Sequence, residues 1–345
     1  MERRFFVVSF LVLIFCTVLP LNGGAKSEAR SGGVSIAVFI PGVMAGSPIY
    51  EMLAQGVEKA AGEFAAAGNA PAPELTVIEG RFNQAEWEPQ VTTLAASGGY
   101  DLIVSSNPSL PAIVSSVSAK FPAQKFLLLD GELAGNPSVY TLRYNQREQA
   151  YMAGHIAALC AREMAGERKR LGLLAAQEYP AMNNIILPGY AEGARAVDSG
   201  FAVDFRVVGN WFDAARGAEL AAEMIRDGAG VILPVAGGAG EGAVRAAGEG
   251  GAKIVWFDTN GYGVSPGTVV GSAVLHQDKA AYEKTMLFLK GALPFGRAET
   301  AGIRDGYVDF IEDDPNYIAS VSQEIRERQT AMIARLRSGA LRLDD

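Results

Sequence analysis

The sequence predicts an α/β protein of two lobes, each built on a parallel sheet with helices on both faces. Three observations predict it. Short runs rich in Val, Ile and Leu alternate with helix-length amphipathic segments along the chain. Near residue 146 the strand–helix series starts again, which points to two consecutive lobes. Glycines, aspartates and aromatics follow the carboxyl ends of the apolar runs, where open parallel sheets bind ligands.

The first series opens with a strand at 34–40, stopped by Pro41-Gly42. Ser47-Pro48 opens a helix to about residue 67, a capping serine followed by proline in the first turn. A strand at 75–79, a helix at 86–96 and a strand at 102–105 follow. Ser106-Asn107-Pro108-Ser109 is the carboxyl-end turn of that third strand, and a helix runs from it to Phe121. The strand at 125–129 places Asp130 at its carboxyl end, and the strand at 139–144 closes the series.

The second series begins with a long helix at 146–164, then a strand at 170–175 and a helix at about 182–197. The strand at 202–208 ends in Gly209-Asn210-Trp211-Phe212-Asp213, and Asp213 caps a helix to Arg226. Next comes a buried strand, Val231, Ile232, Leu233 and Val235, running into Gly237, Gly238, Gly240 and Gly242. Without a Cβ this turn can sit against a ligand, and a helix starts at Glu241. The strand at 253–257 ends on Asp258. A strand at 268–274, a helix at 279–290, an irregular strand at 303–310 and one final amphipathic helix at 316–336 complete the chain. Two such lobes with facing carboxyl ends make a cleft that closes on a ligand by hinge motion. Residues 140–146, where the two series meet, are a candidate hinge.

Composition narrows the function. With 49% hydrophobic residues the chain can bury a sizeable core, and a net charge of −8 argues against nucleic acid or an anionic membrane as partner. Two cysteines, Cys16 and Cys160, build no disulfide framework, and two histidines, His155 and His276, leave no clustered donor set for a metal. Glu2-Arg3-Arg4 followed by an apolar run at 5–19 reads as a signal peptide cleaved after Ala25, which places the mature protein in the periplasm or cell envelope. Leu13-Ile14-Phe15-Cys16 loosely resembles a lipobox, so a lipid anchor at Cys16 is the alternative.

Two enzyme patterns fail on chemistry. Gly263-Val264-Ser265-Pro266-Gly267 matches G-x-S-x-G, but Pro266 has no N–H for an oxyanion hole and a strand follows instead of a helix. Gly238, Gly240 and Asp258 mimic part of a dinucleotide fingerprint, but Gly242 follows Gly240 too soon. Catalytic residues, metals and cofactors are therefore expected to be absent. Trp211 lies in a strand-end turn, placed to stack on a ligand, and Tyr50 sits at the matching mouth of the first lobe. Ordinary amphipathic surface is the other reading for Tyr50. Asp130 and Asp258 are acceptors suited to N–H or O–H groups, and His276 lies just past a strand near the meeting of the lobes. His155 in an alanine-rich helix reads as a packed or surface residue, and Cys160 as a small buried hydrophobe.

Four stretches carry a family resemblance: Phe121-Pro122-Ala123-Gln124-Lys125-Phe126 leading to Asp130, Gln146-Arg147-Glu148-Gln149-Ala150-Tyr151-Met152-Ala153-Gly154, Pro188-Gly189-Tyr190-Ala191-Glu192-Gly193, and Val235-Ala236-Gly237-Gly238-Ala239-Gly240. They resemble the basic membrane protein family of ABC-transporter solute receptors, which includes spirochaetal purine nucleoside and riboflavin receptors. The resemblance implies a type I periplasmic binding protein, two Rossmann-like lobes joined by crossover strands. It divides the chain into lobe 1 at 34–143 plus 276–302 and lobe 2 at 144–275 plus 303–337. It also implies a small-molecule ligand, an ABC permease of the inner membrane as partner, no nucleic acid and a monomer. The expected ligand-binding set is Tyr50, Asn107, Asp130, Trp211, Gly237, Gly238, Asp258 and His276. Met44-Ala45-Gly46-Ser47-Pro48-Ile49-Tyr50 replaces the family's acidic pair and Lys-Ser-Phe-Asn, and His276 falls where nucleoside receptors carry a lysine. A larger second-lobe aromatic and a first-lobe tyrosine suit a broader ring, so riboflavin is the expected ligand and a purine nucleoside the alternative. An exported hydrolase and a surface interaction protein are the readings from other classes.

Overall fold

The computed structural model describes residues 33–68, 71–164 and 169–343. The signal segment expected at 1–25, with Cys16, lies outside them. Twelve strands form two six-stranded sheets among the described residues. The first sheet contains β1 (Ser35–Ile40), β2 (Glu74–Glu79), β3 (Leu102–Ser106), β4 (Lys125–Leu129), β5 (Val139–Tyr144) and β11 (Ala298–Ala301), in the spatial order β2-β1-β3-β4-β5-β11. The second contains β6 (Arg170–Ala175), β7 (Ala202–Val207), β8 (Ala229–Val235), β9 (Lys253–Asp258), β10 (Val269–Leu275) and β12 (Val308–Phe310), in the order β7-β6-β8-β9-β10-β12. The two orders match position by position, and every pairing is parallel except β10 with β12.

Burial on both faces explains the apolar runs. In β1, Ile36, Val38 and Ile40 enter one core while Ala37 and Phe39 enter a second on the opposite face. In β4, Leu127 and Leu129 divide from Phe126 and Leu128 in the same way. Helices α1 (Pro48–Ala66), α2 (Trp87–Ser97), α3 (Leu110–Lys120) and α8 (Gln277–Leu289) cover the first sheet. Helices α4 (Gln146–Glu163), α5 (Leu187–Val197), α6 (Ala214–Arg226), α7 (Ala239–Gly250), α9 (Pro315–Ser320) and α10 (Gln323–Ser338) go with the second.

Glycine sets the helix pairs. A Cβ on Gly154 of α4 would overlap the Tyr190 carbonyl of α5, and one on Gly193 of α5 would overlap the Tyr151 carbonyl of α4. The same reciprocal arrangement joins α6 and α7: Gly217 lies on the Ala239 carbonyl, and Gly242 on the Ala214 carbonyl. In both pairs each glycine stands three residues after the carbonyl that its partner glycine touches. The glycines at 237–242 thus split their work, since Gly242 serves helix packing.

The chain passes between the sheets three times: from β5 to α4, from β10 to α8, and from β11 to the turn at Ile303–Asp305. Residues 140–146, the candidate hinge, hold the first of these. The crossings are tied together. The Asn145 N–H donates to the Ala301 carbonyl at 2.8 Å, the His276 N–H to the Tyr307 carbonyl at 2.9 Å, and the Ile303 N–H to the Glu148 carboxylate at 2.8 Å.

Three elements differ from the sequence reading. The final helix is two, because the chain is extended at Val321 and the Ser322 hydroxyl accepts the Ile325 N–H to start α10 afresh. Residues 303–310 are a 3-10 turn followed by the short β12. Strand β11, Ala-Glu-Thr-Ala, is an edge strand without an apolar run, so no pattern announces it.

Candidate functional site

Matching strand positions make matching site positions. Asp130 follows β4, and Asp258 ends β9, the equivalent strand of the other lobe. Both have left-handed backbone, φ 55° and 72°; the third such non-glycine residue among those described is Arg81, φ 57°, just after β2. Such conformations cost of order 1 kcal/mol or more and gather at functional sites. Here all three lie at or just past strand carboxyl ends.

The two carboxyls lie within electrostatic reach of one another. Burial raises the Asp130 pKa to about 8, and the Asp258 charge adds to the rise. Burial raises Asp258 to about 6, opposed by the Gln149 amide, which donates to its Oδ1 at 3.0 Å. Both residues are enclosed by protein yet keep some accessible surface, as expected for a cleft floor. The Gln146 amide of α4 reaches Asp130 Oδ1 across the lobe boundary at 3.4 Å. Gln149 is fully buried; its amide also donates to the Ala273 carbonyl, and its Oε1 has no partner.

Tyrosines complete the wall. Tyr50 in α1 donates to the Pro41 carbonyl at 3.1 Å and accepts from the Asn107 amide at 3.3 Å, with its ring over Gly42. Burial chiefly raises its pKa to about 12; the Asn107 bond works against this and the Asp130 charge with it. Tyr179, past β6, occupies the corresponding loop of the second lobe. Its phenol is held above the usual range, first by burial and then by Asp130 and Asp258. Its ring lies 6.3 Å from that of Trp211 at 39°. Trp211 is 37% exposed and donates from Nε1 to Gln177 at 3.3 Å, so the indole is open yet oriented.

Gly237 and Gly238 support Trp211. Gly237 has φ 53°, and a Cβ there would come within 3.1 Å of the Trp211 carbonyl and 3.4 Å of its ring. A Cβ on Gly238 would lie 3.5 Å from the same carbonyl, which accepts the Ala239 N–H at the start of α7. His276 is half-buried at the second crossing, where its carbonyl accepts the Ala280 N–H at the start of α8.

Sequence reasoning missed Tyr179, Gln149 and Gln277. Gln277 is fully buried: its Oε1 accepts from Ser106 at 2.9 Å and Tyr144 at 3.2 Å, while its amide donates to the Ile49 carbonyl at 2.8 Å. It joins the ends of β3 and β5 to the start of α1. A Gln as the first residue of the helix after each of the first two crossings, Gln146 and Gln277, is the available signal. His155 is packed, its Nδ1 2.7 Å from Gln329, and burial lowers its pKa. Cys160 is buried, which raises its thiol pKa to about 12. No metal-holding cluster of His, Cys, Asp and Glu occurs among the described residues.

A polar cavity of about 750 Å³ flanks the crossings, with Arg143, Glu148, Asp305 and Arg337 in its lining and none of Asp130, Asp258, Tyr179 or Trp211. Its acids accept the Ile303 and Gly302 N–H groups, and Arg337 pairs with Asp309 and Glu312. These charges serve the crossings.

The raised carboxyls set a pH dependence. A folded pKa above the unfolded value means the folded chain binds more protons between the two values. Stability is therefore highest below about pH 4 for these groups and is lost as pH rises through about 6 for Asp258 and about 8 for Asp130. The full linkage is about 1.4 kcal/mol per pH unit; with part of each carboxyl accessible, we expect a fall of roughly 2 kcal/mol from about pH 5 to about pH 8. Urea midpoints across that range measure it. Asp130→Asn should flatten the decline, and an equally steep decline in that variant would refute the assignment.

The model of the family described as ABC transporter substrate-binding protein PnrA-like matches residues 33–342. The chain belongs to this family. Its sequence is 21% identical over 335 residues to basic membrane protein D of Borreliella burgdorferi, covering 94% of this chain and 92% of that one. It is 29% identical over 148 residues to the ABC transporter nucleoside-binding protein BmpA of Lactococcus lactis, covering 43% of this chain and 40% of the relative. Among solved structures it is similar to an ABC transporter solute-binding protein of Aeropyrum pernix, TM-score 0.77 at 20% identity, covering 90% and 93% of the two chains. An Agrobacterium vitis solute-binding protein with bound α-D-tagatopyranose gives TM-score 0.63 at 15% identity, with coverage of 84% and 99%. The fold is thus that of type I periplasmic solute-binding proteins. The chain is an ABC-transporter substrate-binding protein, of a family that binds small molecules outside the cytoplasm and works with a permease. No helix among the described residues is long and apolar enough to cross a membrane.

Proposed function

We propose that this protein holds a flat heterocycle bearing hydroxyl groups between its lobes and delivers it to its permease without chemical change. The observation that carries the reading is the pairing of two strand-end carboxyls, Asp130 and Asp258, with the aromatic wall of Tyr179 and Trp211. Carboxyls suit hydroxyl donors, and an open, oriented indole suits a ring face. A purine nucleoside is the first candidate, supported by the nucleoside-binding relative of Lactococcus lactis. Riboflavin is the second reading, favoured by a second-lobe wall of two aromatics and by the absence of the family's first-lobe phenylalanine segment at Met44–Tyr50.

Non-enzymatic function is supported by the turn at Ser265. Its carbonyl accepts the Thr268 and Val269 N–H groups, and Pro266 follows it. Turnover of a bound solute that is lost in Ser265→Ala would overturn that part.

Trp211→Ala is expected to weaken binding about ten- to a hundredfold, taking base–aromatic stacking as worth roughly 1–3 kcal/mol. Calorimetric titration with inosine, guanosine and riboflavin tests it. Unchanged affinity would remove stacking from the account. If riboflavin is the ligand, its fluorescence should also be quenched in the wild type and less so in Trp211→Ala.

A further inference from the structure

The loops after β2 and β7 occupy equivalent positions at one edge of the two sheets. Each presents a phenylalanine, and the two rings meet: Phe82 of the first lobe and Phe212 of the second have centroids 5.7 Å apart at 55°. We propose that Phe82 and Phe212 form an aromatic clasp that holds the lobes together at this end of the cleft and sets the rate at which bound solute escapes. The second half of the statement rests on the cleft being the solute site.

Three observations carry the clasp. The rings are 67% and 62% exposed, so core packing does not explain their contact. Each loop is pinned behind its ring. Before Phe82, Arg81 sits at φ 57°, its N–H donating to the Gly42 carbonyl at 2.8 Å and its carbonyl accepting from Trp87 Nε1 at 3.1 Å. Gly80 lets that turn press on Phe39 and Trp87, where a Cβ would come within 2.8–2.9 Å. On the other side, Asn210 Oδ1 accepts the N–H groups of Phe212 at 3.0 Å and Asp213 at 2.8 Å. These first-lobe contacts hold Arg81 in its left-handed backbone and fix where the exposed ring after it stands. Finally, neighbours in sequence divide their directions: Trp211 turns to Tyr179 and Gln177, and Phe212 to the opposite lobe.

Neither Phe82 nor Phe212 is itself a predicted ligand position, and the contact between their rings joins the two lobes, so the clasp acts through closure. A tilted aromatic pair corresponds to about a two- to tenfold change in an equilibrium. The full-length protein carrying dyes at the exposed positions Lys120→Cys on the first lobe and Arg226→Cys on the second reports opening by single-molecule energy transfer without any ligand. Phe82→Ala and Phe212→Ala should each raise the ratio of open to closed molecules about two- to tenfold. The double variant should do no more than either single, and Phe82→Tyr, which keeps the ring, should behave as wild type. Stopped-flow release of inosine or riboflavin should accelerate by the same factor in the alanine variants. An unchanged ratio in both single variants, or a double-variant effect equal to the product of the singles, overturns the clasp. The opening measurement decides it even if neither solute binds. Unchanged release with increased opening would overturn its role in solute escape.

Discussion

Asp258→Ala should weaken solute binding about a hundredfold, while Asp130→Asn should weaken it far less. Hydrogen bonds to a charged group contribute about 1.5–3 kcal/mol, and 1.4 kcal/mol is about tenfold. With its pKa at about 6, Asp258 is mostly ionised at neutral pH and accepts hydroxyl protons as a carboxylate. Its loss also leaves one N–H of the buried Gln149 amide without its acceptor at 3.0 Å, while the amide keeps its bond to the Ala273 carbonyl. Asp130, at about 8, mostly keeps its proton at neutral pH. An asparagine there is neutral, similar in shape and still both donor and acceptor. Calorimetry with inosine and hypoxanthine separates the effects. The loss in Asp258→Ala should appear with inosine and vanish with hypoxanthine, which lacks the ribose hydroxyls. Equal losses for both ligands would move Asp258 from the hydroxyl end to the ring.

The second large effect is on stability. Gly193→Ala should destabilise the protein by about 3 kcal/mol or more, the upper end for overpacking, because its methyl would be driven into the Tyr151 carbonyl. Backbone on a long buried helix cannot swing aside as a side chain can. Gly248→Ala is the matched control, since its Cβ would meet only Thr268 Oγ1 at 3.7 Å. Removing a helix-interior glycine should make that variant neutral or slightly more stable. Thermal midpoints of the two variants check the pair. A Gly193→Ala protein as stable as wild type would mean that α4 and α5 do not meet at glycine distance.

Legibility in the sequence followed burial. Strands covered on both faces, such as Ala229–Val235, announce themselves as apolar runs, and Asp130 and Asp258 stand out because each ends one. The edge strand Ala298–Ala301 has one neighbour and no such run, so it stayed hidden. Phe82, Gln149 and Tyr179 could not be found from local pattern. Their partners are Phe212, Asp258 and Trp211, which reach them only once the chain has folded. Trp211 is readable as an aromatic in a strand-end turn and the glycines after Val235 as a turn open to close approach, but the contact of Gly237 and Gly238 with Trp211 itself exists only in the folded chain. The reciprocal glycine contacts were present as Tyr-x-x-Gly in both α4 and α5, a spacing that gains meaning only when the two helices are side by side.

The most direct test of the central claim is calorimetric titration of the wild-type protein, freed of co-purified solute by unfolding and refolding, with inosine and with riboflavin. The account predicts saturable one-to-one binding of at least one of them, weakened in Trp211→Ala. Absence of heat with both, together with saturable binding of a sugar or an amino acid that lacks a flat ring, would contradict it.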